Sequence, residues 1–216
     1  MIDTAGNPAV FFNRPAGKLF KKGSCRFEKR EGKMDNTLNM LCSSSEVQGA
    51  VRQLAADIFK LISSSSGECA LVGIHQQGVP LACAIKEVLK KEFKCSPDLG
   101  TLDISMYRDD IGNRSRLPLI RETSIPFDVN DKLIILVDDV LSSGRTIRAA
   151  LDALTDYGRP RLIRLAVLVD RGEPEFPIRA DFVGFNLTVP AGHKIKVLFA
   201  GDSSEEPGIY DMKWQK

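Results

Sequence analysis

The sequence predicts an α/β fold with a central, mostly parallel sheet flanked by helices, and three observations predict it. Apolar runs of strand length alternate with helical periodicity between Glu46 and Val169, the pattern of parallel strands joined by crossover helices. The run Leu133-Ile-Ile-Leu-Val137 is continuous and β-branched, as a strand covered on both faces requires. That run leads directly into Asp138-Asp139-Val140-Leu141-Ser142-Ser143-Gly144-Arg145-Thr146, two carboxylates and a small-residue loop before a helix.

Taken in order, residues 1–40 read as a basic extension and residues 41–216 as one domain. The first 34 residues carry eight basic and three acidic side chains and no sustained periodicity, as a disordered arm would. It reads either as a nucleic-acid-binding tail or as an inert extension upstream of a start near Met34, and the second is preferred. Removing it leaves 22 basic and 25 acidic residues, so the body carries a formal charge of −3.

Val47, Val51, Leu54, Ala55, Ile58, Leu61 and Ile62 recur at steps of three and four, which predicts an amphipathic helix over 46–62 with Ser45 as N-cap. Ser63–Gly67 breaks it, and Cys69–Ile74 follows as a short strand. His75-Gln76-Gln77-Gly78 is its turn, and Pro80 suits the first turn of the next helix. Thr101–Tyr107 alternates like a half-exposed strand, and a polar loop from Arg108 to about Thr123 has the length of a lid. A helix over 145–156 should stop at Gly158 and Pro160. Leu162–Val169, Ala180–Phe185 and Lys194–Ala200 complete the strands.

Composition narrows the function classes. No apolar stretch reaches the roughly 20 residues of a membrane span, and no secretory segment is evident, so a cytoplasmic location is expected. The five cysteines form no C-x-x-C pair and there are only two histidines, which argues against zinc, thioredoxin-like and histidine-rich metal sites.

The chemistry concentrates at Asp138–Thr146. Ligands of open α/β sheets bind beyond the carboxyl ends of the strands. Unpaired N–H groups at a helix start favour a phosphate, Gly144 lets it approach, and Ser142, Ser143 and Thr146 add hydroxyl donors. Asp138 and Asp139 suit ribose hydroxyls or a divalent cation such as Mg²⁺. Aspartates serving only as helix caps are the competing reading. Neither G-x-G-x-x-G nor G-K-[ST] is present, which removes the main support for dinucleotide and ATP-hydrolase readings.

Leu136–Thr146 resembles the phosphoribosyl-diphosphate signature of type I phosphoribosyltransferases. Leu102–Asp110, Arg148–Leu154, Asp156–Pro160, Leu165–Gly172 and Pro177–Gly184 resemble the members that regulate pyrimidine operons and carry uracil phosphoribosyltransferase activity, the PyrR type. The resemblance runs from about Glu46 to the C-terminus. It implies a type I phosphoribosyltransferase fold with a small hood around 171–200, a homodimer or homotetramer, and formation of UMP and pyrophosphate from uracil and phosphoribosyl diphosphate with Mg²⁺.

By that resemblance Ser142, Ser143, Gly144, Arg145 and Thr146 hold the 5-phosphate, and Val140 and Leu141 belong to the substrate-binding set. Asp138 and Asp139 hold the ribose hydroxyls and the metal, with Arg108 also placed in the catalytic set. Gln76, Gln77 and Gly78 form the pyrophosphate loop, Tyr107 opens the lid, and Arg171 belongs to the hood over the base. No general base is named.

Two departures qualify the match. The family typically has Thr-Arg-Gly where this chain has Gln76-Gln77-Gly78, replacing a charged donor by a neutral amide. The leader-RNA surface of the regulators is basic, whereas the aligned positions are Gln48, Gly49, Gln53, Ala56, Glu173, Pro174 and Phe185. Arg52 and Arg179 remain.

Overall fold

The structure, a computed structural model, describes residues 38–65, 67–108, 122–200 and 205–213. The chain divides into two units, Met1–Asp35 and Asn36–Lys216. The first, with everything expected of the basic arm, lies outside the described residues, as do residues 109–121 of the expected lid.

The elements run β1 (Asn39–Ser43), α1 (Ser44–Ser64), β2 (Cys69–Ile74), α2 (Gly78–Phe93), β3 (Asp98–Leu102), β4 (Leu133–Leu141), α3 (Arg145–Thr155), β5 (Leu162–Asp170), β6 (Phe182–Asn186), β7 (His193–Leu198) and β8 (Gly208–Lys213). Five strands form one sheet in the order β3-β2-β4-β5-β6, every pair parallel. The predicted α/β architecture with a central parallel sheet is therefore what the chain builds. A second sheet of three strands, β1-β8-β7, is antiparallel. Within 171–200, β6 belongs to the large sheet and β7 to the small one.

Alternate residues of β4 feed two cores. Leu133, Ile135 and Val137 pack with α1 and α2, whereas Ile134 and Leu136 pack with α3, as the two-residue period of a strand dictates. Burial on both faces explains why the run is unbroken apolar. At the opposite end of the sheet from the strands' carboxyl termini, Lys132 is buried and pairs with Glu68 and with Asp98 at 3.4 Å. One cation thus ties together the starts of β2, β3 and β4.

Several boundaries differ from expectation, each for a local reason. The cap of α1 is Ser43 rather than Ser45, because the Glu46 carboxylate accepts from the Ser43 N–H at 2.8 Å and its hydroxyl at 2.7 Å. The strand expected over 101–107 is β3, 98–102, with 105–107 in a turn. Its partner β2 ends at Ile74, opposite Leu102, so no ladder extends further. Conversely β4 runs on through both aspartates because β5 continues beside it to Asp170. The C-cap of α3 is Asp156, two residues before Gly158. Strands β1 and β8 were not anticipated; each pairs with the other across the length of the domain.

Candidate active site

Because all five strands point the same way, their carboxyl ends deliver four segments to one edge. Gln76–Gly78 follow β2, Tyr107 and Arg108 follow β3, Asp138–Thr146 span the end of β4, and Arg171 follows β5. From β2 the chain crosses to β3 through α2, and from β4 to β5 through α3, packing these helices on opposite faces. The divergence leaves a crevice between the ends of β2 and β4, the switch point at which such sheets bind ligands.

Asp138 and Asp139 sit in that crevice. Asp138 is only 5% exposed, and its carboxylate accepts from the Asp139 N–H at 3.0 Å. Burial, reinforced by the neighbouring Asp139 charge, pushes the Asp138 carboxyl well above the usual carboxylate range, against the opposing pull of Arg108. Burial also raises Asp139, while hydrogen bonds from Asp138 and from the Val140 and Asp139 backbone hold it down. A buried carboxyl beside a half-buried one favours whatever brings protons, hydroxyl donors or positive charge.

The loop Ser142–Gly144 joins β4 to α3. Gly144 caps α3 with φ +87° and no side-chain cap, a conformation natural to glycine, which leaves first-turn N–H groups facing the loop. The Arg145 N–H lies 3.4 Å from the Ser143 hydroxyl. Val140, Ser142, Ser143 and Thr146 are half-buried around it, Leu141 is buried and Arg145 is exposed.

The segment after β5 clips onto this loop. The Glu175 and Phe176 N–H groups donate to the Ser143 carbonyl at 2.9 and 3.1 Å, and the Arg171 N–H donates to Leu141 O at 2.9 Å. The Arg145 guanidinium pairs with Glu175 at 2.7 Å and lies 5.4 Å from the Phe176 ring centre. Arg171 is mostly buried and pairs with Glu173 at 2.9 Å. Glu175 and Phe176 escaped sequence reasoning, since nothing local marks them and only the return of the chain after β5 brings them to Ser143.

In the turn after β2 the His75–Gln76 peptide is cis, and the His75 ring lies 3.3 Å from the Glu122 carbonyl. Gln76 is exposed, Gln77 half-buried and Gly78 buried. Gln77 Oε1 and Arg171 Nε are buried without a hydrogen-bond partner among the described residues. Native proteins rarely leave such atoms unpaired, and both belong to segments that border the crevice.

Tyr107 is anchored at two points of α3: its hydroxyl donates to Asp156, and its carbonyl accepts from Arg148 at 3.3 Å. Sequence reasoning assigned Arg148 and Asp156 no role at the site.

No group of three or more metal-binding side chains occurs among the described residues. Asp138 and Asp139 alone offer hard oxygen donors short of positive charge. That set fits Mg²⁺, which typically takes one or two carboxylates and completes its shell with substrate phosphates and water.

A phosphoribosyl transferase domain model matches residues 42–197. The bifunctional protein PyrR of Deinococcus radiodurans is 47% identical over 157 residues, 73% of this chain and 85% of its own. Its namesake in Thermus thermophilus is 49% identical over 157 residues, 73% of this chain and 86% of its own. Among solved structures, a hypoxanthine-guanine phosphoribosyltransferase of Bacillus anthracis has a TM-score of 0.61 at 19% identity, covering 81% of this chain and 98% of that one. A hypoxanthine phosphoribosyltransferase of Trypanosoma cruzi reaches 0.63 at 14% identity, covering 80% and 94%. At such identities the solved structures speak for the fold alone.

Proposed function

This chain belongs to the phosphoribosyltransferase family, within the group whose members are named bifunctional protein PyrR, and from that premise we propose that it transfers ribose 5-phosphate from phosphoribosyl diphosphate to uracil, giving UMP and pyrophosphate. The observation that carries the proposal is the buried Asp138 with half-buried Asp139, followed at once by the positive-φ Gly144 loop at the start of α3. A sugar phosphate satisfies both halves of that arrangement. Uracil is preferred to a purine because the 47–49% identical relatives are of the PyrR type, whereas the likeness to the hypoxanthine enzymes is confined to fold.

In this reading Ser142, Ser143, Gly144 and Thr146 bind the 5-phosphate through hydroxyls and first-turn N–H groups. The ribose hydroxyls donate to Asp138 and Asp139, which relieves their burial. As the bond from C1 to the diphosphate lengthens, positive charge grows on the sugar ring, and the two fixed carboxylates stabilise it without reorganising. Gln76, Gln77 and Gly78 offer amide donors to the departing pyrophosphate, and Arg108 offsets its charge. Arg171 helps form the cover over the base. Asp138 and Asp139 would hold Mg²⁺, which would supply further charge neutralisation for the leaving group. A cytoplasmic homodimer or homotetramer is part of the same reading; no helix among the described residues is long and apolar enough to cross a membrane.

The relatives' name, bifunctional, favours a second reading as a UMP-sensing, leader-RNA-binding regulator. The exposed face of α1 offers it little: Gln48, Gly49 and Gln53 are neutral there, and Arg52 lies 3.5 Å from Glu92.

The decisive experiment measures pyrophosphate release from phosphoribosyl diphosphate with a panel of bases, with Mg²⁺ and with excess chelator. Uracil-dependent, chelator-sensitive release that Asp139→Asn abolishes is expected. Release with purines alone, or with no base at all, overturns the proposal.

A further inference from the structure

One guanidinium outside the expected site touches both of the segments that must be held against the phosphate loop. Arg148 lies in the first turns of α3. Its Nη2 donates to the Tyr107 carbonyl at 3.3 Å, its Nη1 pairs with Asp152 at 2.8 Å, and its ring-facing side stands 5.9 Å from the centre of Phe176.

The Tyr107 carbonyl belongs to the peptide that joins Tyr107 to Arg108. Holding that oxygen fixes the peptide plane from which Arg108 departs, in the segment that follows β3 at the carboxyl edge of the sheet. The Tyr107 hydroxyl, bound to Asp156 one helix length away, secures the same residue from the other side. Phe176 in turn donates its N–H to the Ser143 carbonyl in the phosphate loop. Arg148 therefore bridges the segment carrying Arg108 and the segment clipped onto Ser143, while its other nitrogen pairs with Asp152 on its own helix. A planar fork can meet a carboxylate, a carbonyl and an aromatic face together; a lysine ammonium on a flexible stem cannot hold all three in fixed directions.

We infer that Arg148 is a positioning residue for phosphoribosyl transfer, setting Arg108 and the Phe176 clip in register with the loop that receives the 5-phosphate. The inference rests on the transferase reading above, and it touches substrate nowhere. Its effect should appear on the phosphoribosyl diphosphate side of the reaction and not on the base.

The test compares the full-length Arg148→Gln, Arg148→Lys and Asp152→Asn variants by steady-state kinetics and by hydrogen exchange. Arg148→Gln is expected to lower kcat/KM for phosphoribosyl diphosphate about tenfold, the loss of one charge-assisted hydrogen bond, with KM for uracil unchanged. Arg148→Lys should recover part of it. Amide exchange should rise together in 104–108 and 172–178 in Arg148→Gln and in neither segment in Asp152→Asn, which leaves the Tyr107 and Phe176 contacts available. Exchange rising in only one segment or in neither, or Asp152→Asn matching Arg148→Gln, overturns the inference. So does equal loss on the uracil and phosphoribosyl diphosphate sides. Absence of turnover in the unaltered protein would defeat the transferase reading instead, and the exchange result would still decide whether Arg148 couples the two segments.

Discussion

The Gly78 α-carbon faces the Val137 carbonyl so closely that a Cβ there would stand 2.4 Å from the oxygen and 3.2 Å from the Asp138 α-carbon. The turn after β2 and the strand that carries both aspartates are thus in direct backbone contact. Gly78→Ala must push one away from the other, and an overpacked core contact of this kind costs about 1–3 kcal/mol. Thermal denaturation should show a fall of about 2–4 °C for each kcal/mol in a chain of this size, with reduced turnover. An unchanged melting temperature would contradict the contact.

Asp138→Asn should stabilise the protein while abolishing its chemistry. The Asp138 carboxyl is raised by burial and by Asp139, so its folded pKa exceeds the unfolded one. Its contribution is fully favourable below the unfolded value and is lost as pH rises through the folded one. Above the usual carboxylate range the buried acid is therefore a liability that a neutral amide relieves, and the Asn oxygen still accepts from the Asp139 N–H. The variant should melt higher than the unaltered protein near pH 7, with the difference shrinking toward pH 4. Turnover should fall at least about a hundredfold, as when a preorganised electrostatic group is removed.

Gln77→Arg restores the charge that the family pattern has in the turn we propose for the pyrophosphate. A charge-assisted hydrogen bond exceeds a neutral one by about 1.4 kcal/mol, roughly tenfold in binding or rate. The change also removes an amide oxygen that is buried without a partner. Initial rates at limiting phosphoribosyl diphosphate should rise by about that factor, with the uracil KM unaltered.

Leader-RNA binding should be weak and shallow in its salt dependence. RNA affinity follows the number of phosphates neutralised, and the α1 face presents Arg52 already engaged by Glu92. Filter binding of the protein's own leader RNA between 50 and 200 mM salt, with and without UMP, checks this; a steep slope would reveal a basic surface elsewhere.

The central sheet and the glycine that starts α3 were legible because their signals are local. A strand buried on both faces must be apolar throughout, and Gly144 at φ +87° must be glycine or something that tolerates strain. The limits of β3 were not legible in Thr101–Tyr107, since the pattern of alternation there continues past the point where β2 runs out of partners. Nor could β1 or β8 be read, because Gly208–Lys213 becomes a strand only by pairing with Asn39–Ser43 and His193–Leu198. At the site, the aspartates, Arg108 and the loop came from sequence. Glu175, Phe176, Arg148 and Asp156 did not, because each acts through a partner distant along the chain.

The small sheet also imposes an order on biosynthesis. Its middle strand, β8, is the last of the described strands to leave the ribosome, and it joins the first, β1, to β7. The large sheet needs only residues 69–186 and can assemble while translation continues. Until β8 emerges, β1 and β7 present unpaired edges, the kind of surface that invites aggregation and chaperone capture. A chain that loses Gly208–Lys213 leaves those edges open and also withdraws Ile209 from the core beneath the large sheet, so premature termination exposes both sheets at once.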